Sequence, residues 1–342
     1  MLPRDYVLNQ INHIETDKIP YTIAFEDEMK EKLDKHFGNQ SWDEGLEAYM
    51  RPVAIADTIR YSKISDTHSR DAFGCLWRMD KSAWHIDENP LPDSSLTGYK
   101  FPDISVFTDD IYKNMEAFSK NCEQEKDYFK VIHMGWGLFE RTWLMRGFEN
   151  ALMDIIAEPE FYDELIGRIT EIYVEMVRAC KDINADGFLF GDDWGDQRGV
   201  IVGPDLWREH IKPCWKKVYE EVHKQSKIAM SHSCGSIHDI LEDVIEIGLD
   251  VYESVQPEPN NMNPYELKKK FGDRITFWGC LGTQSIIPFG TAEEIVAEID
   301  KLCAEMGKGG GYILAPTKPL QGDTPVENAV AIIDRLRKNN LF

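Results

Sequence analysis

His232 and Cys234 stand two residues apart in Met230-Ser231-His232-Ser233-Cys234-Gly235, at the end of a short run that reads as a β-strand. Residues two apart in a strand leave the same face, so an imidazole and a thiol would project together. That pair suits Zn²⁺, whose catalytic sites typically keep three protein ligands and one open position. Two residues compete for the third place. Cys280 lies two strands further on, and alternate strands of a parallel barrel fill one layer. Glu253, on the strand between, offers an oxygen instead. The plain reading of either cysteine is a packed thiol, because free cysteine is among the most buried residue types.

Asp192 and Asp193 form a carboxylate pair at another strand end, Gly191-Asp192-Asp193-Trp194-Gly195. Neighbouring acids raise one another's pKa, so one of them is a candidate general acid or substrate-holding group. The other would cap the next helix or pair with Arg198. Asp193 is preferred over Asp192 for the chemistry, with Glu253 as a further acid–base candidate. Trp136, Phe139, Trp143 and Met145 make an aromatic and thioether cluster. Helical spacing assigns most of such a stripe to a core. Trp136, set between two glycines directly after a strand, is the strongest exception. Phe139, Trp194, Met230, Gln284 and Lys318 complete the candidate substrate wall, Lys318 either balancing a negative charge at the mouth or simply solvated.

These groups need a scaffold that gathers strand ends. Candidate strands are Ile19–Phe25, a weaker one near Val53–Ala56, Phe129–Met134, Gly187–Gly191, Lys227–His232, Val251–Val255, Ile275–Gly279 and Tyr312–Ala315. With helical segments between them, they spell βα units around a parallel sheet. The expected fold is α/β, a (β/α)8 TIM barrel built as one domain over residues 1–342. Helices are expected over Pro159–Ala185, over Thr291–Met306 with a capping box at its start, and over Thr324–Lys338. Residues 61–109 show Ser/Asp/Pro punctuation, a hairpin signal at Ala72–Asp80 and no helical period. They read as an irregular insertion after the second strand, folded over the barrel as a lid.

Bulk composition narrows the function. Sixty acidic against 38 basic residues give a net charge of −22, which disfavours nucleic acid, anionic membrane surfaces and highly anionic substrates. Seven cysteines without a CxxC pair suggest a reducing compartment. The N-terminus lacks an apolar leader and no run is long enough to span a bilayer, so a cytoplasmic protein is expected.

The strand-end series Gly191-Asp192-Asp193-Trp194-Gly195, His232-Ser233-Cys234-Gly235, Phe277-Trp278-Gly279-Cys280 through Thr283-Gln284, Pro288 with Gly290-Thr291, and Ile313-Leu314-Ala315-Pro316 resembles the uroporphyrinogen decarboxylase superfamily. The resemblance runs from about Ile11 to the C-terminus and implies a (β/α)8 barrel. It also implies one of two activities, haem-pathway decarboxylation or corrinoid-dependent methyl transfer. The decarboxylases carry an arginine-rich clamp near the N-terminus for a polycarboxylate substrate. The matching stretch here, Asp17-Lys18-Ile19-Pro20-Tyr21-Thr22-Ile23-Ala24-Phe25, has no arginine. The methyltransferase branch is similar in its zinc-binding His-x-Cys pair, but coenzyme M-type members add a cysteine after the last strand, where Ala315-Pro316-Thr317-Lys318 has none.

The resulting expectation is a methyltransferase moving a methyl group from a small methylated donor, an aryl methyl ether, to a corrinoid carried by a separate protein, with zinc at His232, Cys234 and Cys280 or Glu253. A homodimer is the candidate assembly. The rivals are a decarboxylase or lyase acting on a smaller carboxylic acid and a non-catalytic ligand-binding subunit.

Overall fold

The computed structural model describes residues 1–44, 46, 48–53, 60–80 and 84–338. Its centre is a curled, seven-stranded parallel sheet, TIM-barrel-like in form. In chain order the parallel strands and a small antiparallel set are β1 (Met50–Val53), β2 (Ser62–Lys63), β3 (His68–Arg70), β4 (Leu76–Arg78), β5 (His85–Glu88), β6 (Phe129–Trp136), β7 (Gly187–Gly191), β8 (Ile228–His232), β9 (Val251–Val255), β10 (Thr276–Leu281) and β11 (Tyr312–Pro316). The parallel sheet runs β1-β6-β7-β8-β9-β10-β11, each strand beside its predecessor in the sheet, as successive crossover units dictate. Strands β6 to β11 fall within a few residues of their expected positions, because strands covered on both faces read as compact apolar runs.

The first expected strand is different. Residues 19–25 make only isolated bridges, Tyr21 with Leu314 and Phe25 with Leu320. Pro20 has no N–H to donate and interrupts any ladder. Its carbonyl still accepts from Leu314 N at 2.9 Å, and Tyr49 N donates to Tyr21 O at 3.2 Å, so this stretch touches both sheet edges without becoming a strand. Of the candidate near Val53–Ala56, the strand is Met50–Val53 and the remainder lies outside the described residues.

Helix Pro3–Ile11 covers the N-terminal ends of the strands. Arg4 pairs with Asp186 at 2.8 Å just before β7, and Gln10 receives Gly311 N and Tyr312 N just before β11. The C-terminal ends are left to form the site. Helix Ala292–Met306 starts where expected: Thr291 Oγ1 accepts from Glu294 N, and Glu294 accepts from Thr291 N. Its buried stripe of Ile295, Ile299, Leu302, Cys303 and Met306 packs on the sheet, each large side chain contributing roughly 1.5–3 kcal/mol. The long helix after Pro159 stops at Ala179, earlier than its expected end at Ala185.

Within 61–109, the described residues carry more regular structure than their punctuation suggests. Strands β2-β3-β4-β5 form a small antiparallel sheet, with a hairpin from His68 to Arg78 turning at Asp71–Cys75. Asp71 fixes that turn by accepting from Cys75 N at 2.9 Å, Trp77 Nε1 at 3.0 Å and Arg141 Nη1 at 3.0 Å. Asp71 and Arg141 side chains are both fully buried. This pair bolts the small sheet to helix Leu138–Arg146, directly after β6. No helix among the described residues is long and apolar enough to cross a membrane.

Candidate functional site

Parallel register sets Gly191, His232, Glu253 and Trp278 side by side in one layer at the C-terminal end of the sheet. His232 Nδ1 contacts Glu253 Oε2 at 2.5 Å, a charge-assisted hydrogen bond donated by the imidazole. Its Nε2 is then left facing Cys234 Sγ at 3.4 Å and Asp193 Oδ1 at 3.4 Å. Cys234 is half-buried, whereas the other six cysteines are buried.

Asp193 reaches this point through a close approach of two loops. Gly235 has φ +74°, and a Cβ there would stand 2.4 Å from the Gly195 carbonyl carbon. Only glycine accommodates both the conformation and the contact. The loops are then stitched together, Cys234 N donating to Asp193 Oδ1 at 2.8 Å and Trp194 N to Ser233 Oγ at 2.9 Å, while Gly235 N donates to Gln256 Oε1, just after β9, at 2.8 Å.

Asp193, His232 and Cys234 present three ligand atoms within 4.8 Å of one another. The two 3.4 Å separations match the edges of a tetrahedron with metal–ligand bonds of roughly 2.0–2.3 Å. Electrostatics agree. Burial lowers the His232 pKa, but the Glu253 charge and hydrogen bonds with Asp193, Cys234 and Glu253 together raise it well above the ordinary value. Burial likewise opposes ionisation of Asp193, and its His232 and Cys234 contacts outweigh that and lower its pKa. A pocket that traps a proton between acidic groups also suits a cation. Glu253 is the orienting partner of the imidazole, as carboxylates are around metal-bound histidines.

Cys280 does not join this group. A bulge lies between Trp278 and Gly279, followed by φ +129° at Gly279 and +76° at Cys280. Alternation is broken there, so Trp278 faces the site while Cys280 is buried against Tyr312, with Glu298 of the covering helix nearby. Burial pushes its thiol far up, away from the ionised form a ligand needs.

The two adjacent acids divide their roles. Asp192 is fully buried and accepts from Phe139 N, Glu140 N, Trp194 Nε1 and Trp215 Nε1 at 3.2, 2.8, 2.7 and 2.7 Å. It is a structural hub, whose pKa burial pushes up to about 6 against the pull of those donors. Asp193 alone of the pair reaches the open pocket.

Two adjoining cavities share the walls His133, Leu189, His232, Glu253, Lys318 and Pro319. The larger, about 630 Å³, is mostly apolar, bounded by Ile23, Met50, Val131, Leu189, Trp278 and Pro316 among others. The other, about 510 Å³, holds Asp193 and Cys234 together with Trp136 and Glu140. Lys318 lines both cavities and Trp136 the second; Trp136 also packs on Trp77 of the small sheet with ring centroids 6.0 Å apart. Phe139 and Trp194 are buried in the wall behind, and Met230 is buried in the layer beneath His232. Gln284 is exposed and accepts from Gln197 Nε2, outside both cavities. Glu140 and His133 carry no sequence signal of a site role beyond the strand-end position of His133. Burial, with the charges of Asp192 and Asp193, pushes the Glu140 carboxyl up to about 8.

Comparison with known proteins agrees with this architecture. The chain is similar over 99% of its length to a methyltransferase from Methanosarcina mazei, with a TM-score of 0.73, 18% identity and 99% of that chain covered. It is 20% identical over 210 residues to the uroporphyrinogen decarboxylases of three Coxiella burnetii strains, a match covering 60% of this chain. The chain spans about half the length of these curated relatives, 54%. The family model for uroporphyrinogen decarboxylase (URO-D) matches residues 108–339, from before β6 to the last helix, and the chain belongs to that family.

Proposed function

We propose that the protein is a methyltransferase that takes a methyl group from a small methylated donor, an aryl methyl ether, and passes it to a corrinoid carried by a separate protein. The observation that carries this reading is an apolar chamber of about 630 Å³, lined by Glu253, that shares His232 with a metal-type cluster of Asp193, His232 and Cys234. The chamber suits a flat apolar body. Its cations are few: Lys318 stands at the rim, and Arg51 is engaged by Glu125 at 3.5 Å and by the Tyr128 ring. A polycarboxylate would meet little compensating charge there.

Zn²⁺ held by Asp193, His232 Nε2 and Cys234 Sγ would supply Lewis acidity toward the donor oxygen when bound. The chain's own residues do the rest. Glu253 holds the imidazole in one tautomer through Nδ1. Leu189, Val131 and Trp278 exclude water and seat the ring, while Trp136 closes the side nearest the small sheet. Their task is orientation, because the acceptor corrinoid is itself the nucleophile.

The test is to mix the protein with a Co(I) corrinoid protein and methoxybenzenes, following the visible spectrum for methyl transfer. Methylation that requires His232 and Cys234 is expected. Absence of transfer from aryl, alkyl and amine donors, or CO2 release from a small acid without any corrinoid, would overturn the proposal. The second of these outcomes would favour a decarboxylase or lyase.

A further inference from the structure

We propose that His133 donates the hydrogen bond to the donor oxygen from which the methyl group is removed; this rests on the methyl-transfer reading above. His133 lies on β6 in register with Leu189, and its ring is exposed into the space shared by the two cavities. It therefore stands where the apolar chamber meets the pocket of Asp193 and Cys234.

The side chain has no structural employment. His68, His85, His210, His223, His232 and His238 each contact a carboxylate. The His133 imidazole has no hydrogen-bond or ion-pair partner among the described residues, and its wall neighbours Val131 and Leu189 are apolar. No bond among the described residues ties down its ring nitrogens, which leaves them open to a molecule bound in the shared space. The two carboxylates beside it are already engaged. Asp193 receives Cys234 N and faces His232, and Glu253 holds His232 Nδ1. Burial also lowers the His133 pKa, although the Glu253 charge opposes it. A neutral ring keeps an N–H to donate and brings no unbalanced charge into the chamber.

The step balances without a proton from His133. The methyl carbon–oxygen bond breaks, and the carbon bonds to the electron pair of the acceptor's Co(I). Cobalt is formally oxidised to Co(III), and the electrons of the broken bond remain on oxygen as a phenolate. The His133 hydrogen bond strengthens as that charge develops, the situation in which a single donor is worth roughly 10²–10³ in rate.

The experiment compares the wild type with His133→Leu and His133→Asn, two variants of which Asn retains an N–H donor. Using methoxybenzenes whose phenols differ in acidity, His133→Leu is expected to lower kcat by about 10²–10³. The loss grows as the leaving oxygen becomes more basic, KM changes little, and Asn restores part of the rate. A corrinoid-free readout separates this inference from the methyl-transfer reading. Bound 4-nitrophenol ionises at lower pH in the wild type than in His133→Leu, seen as the yellow phenolate band. Equal ionisation in the two proteins, or a loss of kcat independent of leaving-group basicity, would overturn the role of His133. Retained 4-nitrophenol dependence with no methyl transfer would overturn the function and leave His133 as the oxygen's partner.

Discussion

Replacing Glu253 measures how far the imidazole depends on its carboxylate. Its Oε2 lies 2.5 Å from His232 Nδ1, and this contact leaves Nε2 pointing at Cys234 Sγ and Asp193 Oδ1, each 3.4 Å away. Glu253→Gln keeps an acceptor for Nδ1 but removes the charge that makes histidine a better ligand. Glu253→Ala also removes the orientation, leaving a half-buried ring free to turn. Orienting partners of this kind are worth about 10–100-fold in metal affinity, or roughly 1.4–2.7 kcal/mol. One effect runs the other way. The Glu253 charge also raises the His232 pKa, so removing it weakens proton competition for Nε2 and offsets part of the loss. The expected weakening is therefore about tenfold for Gln and nearer a hundredfold for Ala. Competition for Zn²⁺ against a chromophoric chelator at fixed pH reads both. Wild-type affinity in Glu253→Ala would refute the orienting role. A loss equal to that of His232→Ala would instead make Glu253 a ligand itself.

Two further outcomes test the frame around the site. Asp71→Asn leaves the Arg141 guanidinium buried without its counter-charge, so urea denaturation should show a loss of about 3–5 kcal/mol, with faster proteolysis within residues 60–80; a loss below about 1 kcal/mol would contradict the bolted sheet. Glu140 holds a proton in the folded state up to about pH 8, whereas its ordinary pKa is 4.5. Its contribution is thus complete below about pH 4.5 and is lost as pH rises through about 8. Glu140→Gln should flatten that decline in the metal-free protein and exceed the wild type in stability above pH 8. Parallel stability curves for the two would exclude a buried neutral carboxyl.

The parts legible in the sequence were those governed by local pattern. Tyr312–Pro316 is an apolar run buried along its whole length, and Thr291 with Glu294 states a helix start outright. The His232–Cys234 pair was legible for the same reason, since strand alternation is local. The third metal-type ligand was not. Cys280 is turned away by a backbone bulge, and Asp193 arrives through the contact of Gly195 with Gly235, forty residues apart in sequence. Nor does alternation separate cavity walls from buried support in a sheet covered on both sides. Trp194, Phe139 and Met230 therefore looked like substrate contacts and are packed residues, while His133 stood at a recognised strand end without a role.

X-ray absorption at the zinc edge tests the central claim most directly. A first shell with one sulfur at about 2.3 Å and the remaining ligands nitrogen or oxygen is expected, unchanged in Cys280→Ala and lost in Asp193→Ala. Two sulfur ligands, one of them removed by Cys280→Ala, or failure of the protein to retain zinc at all, would contradict it.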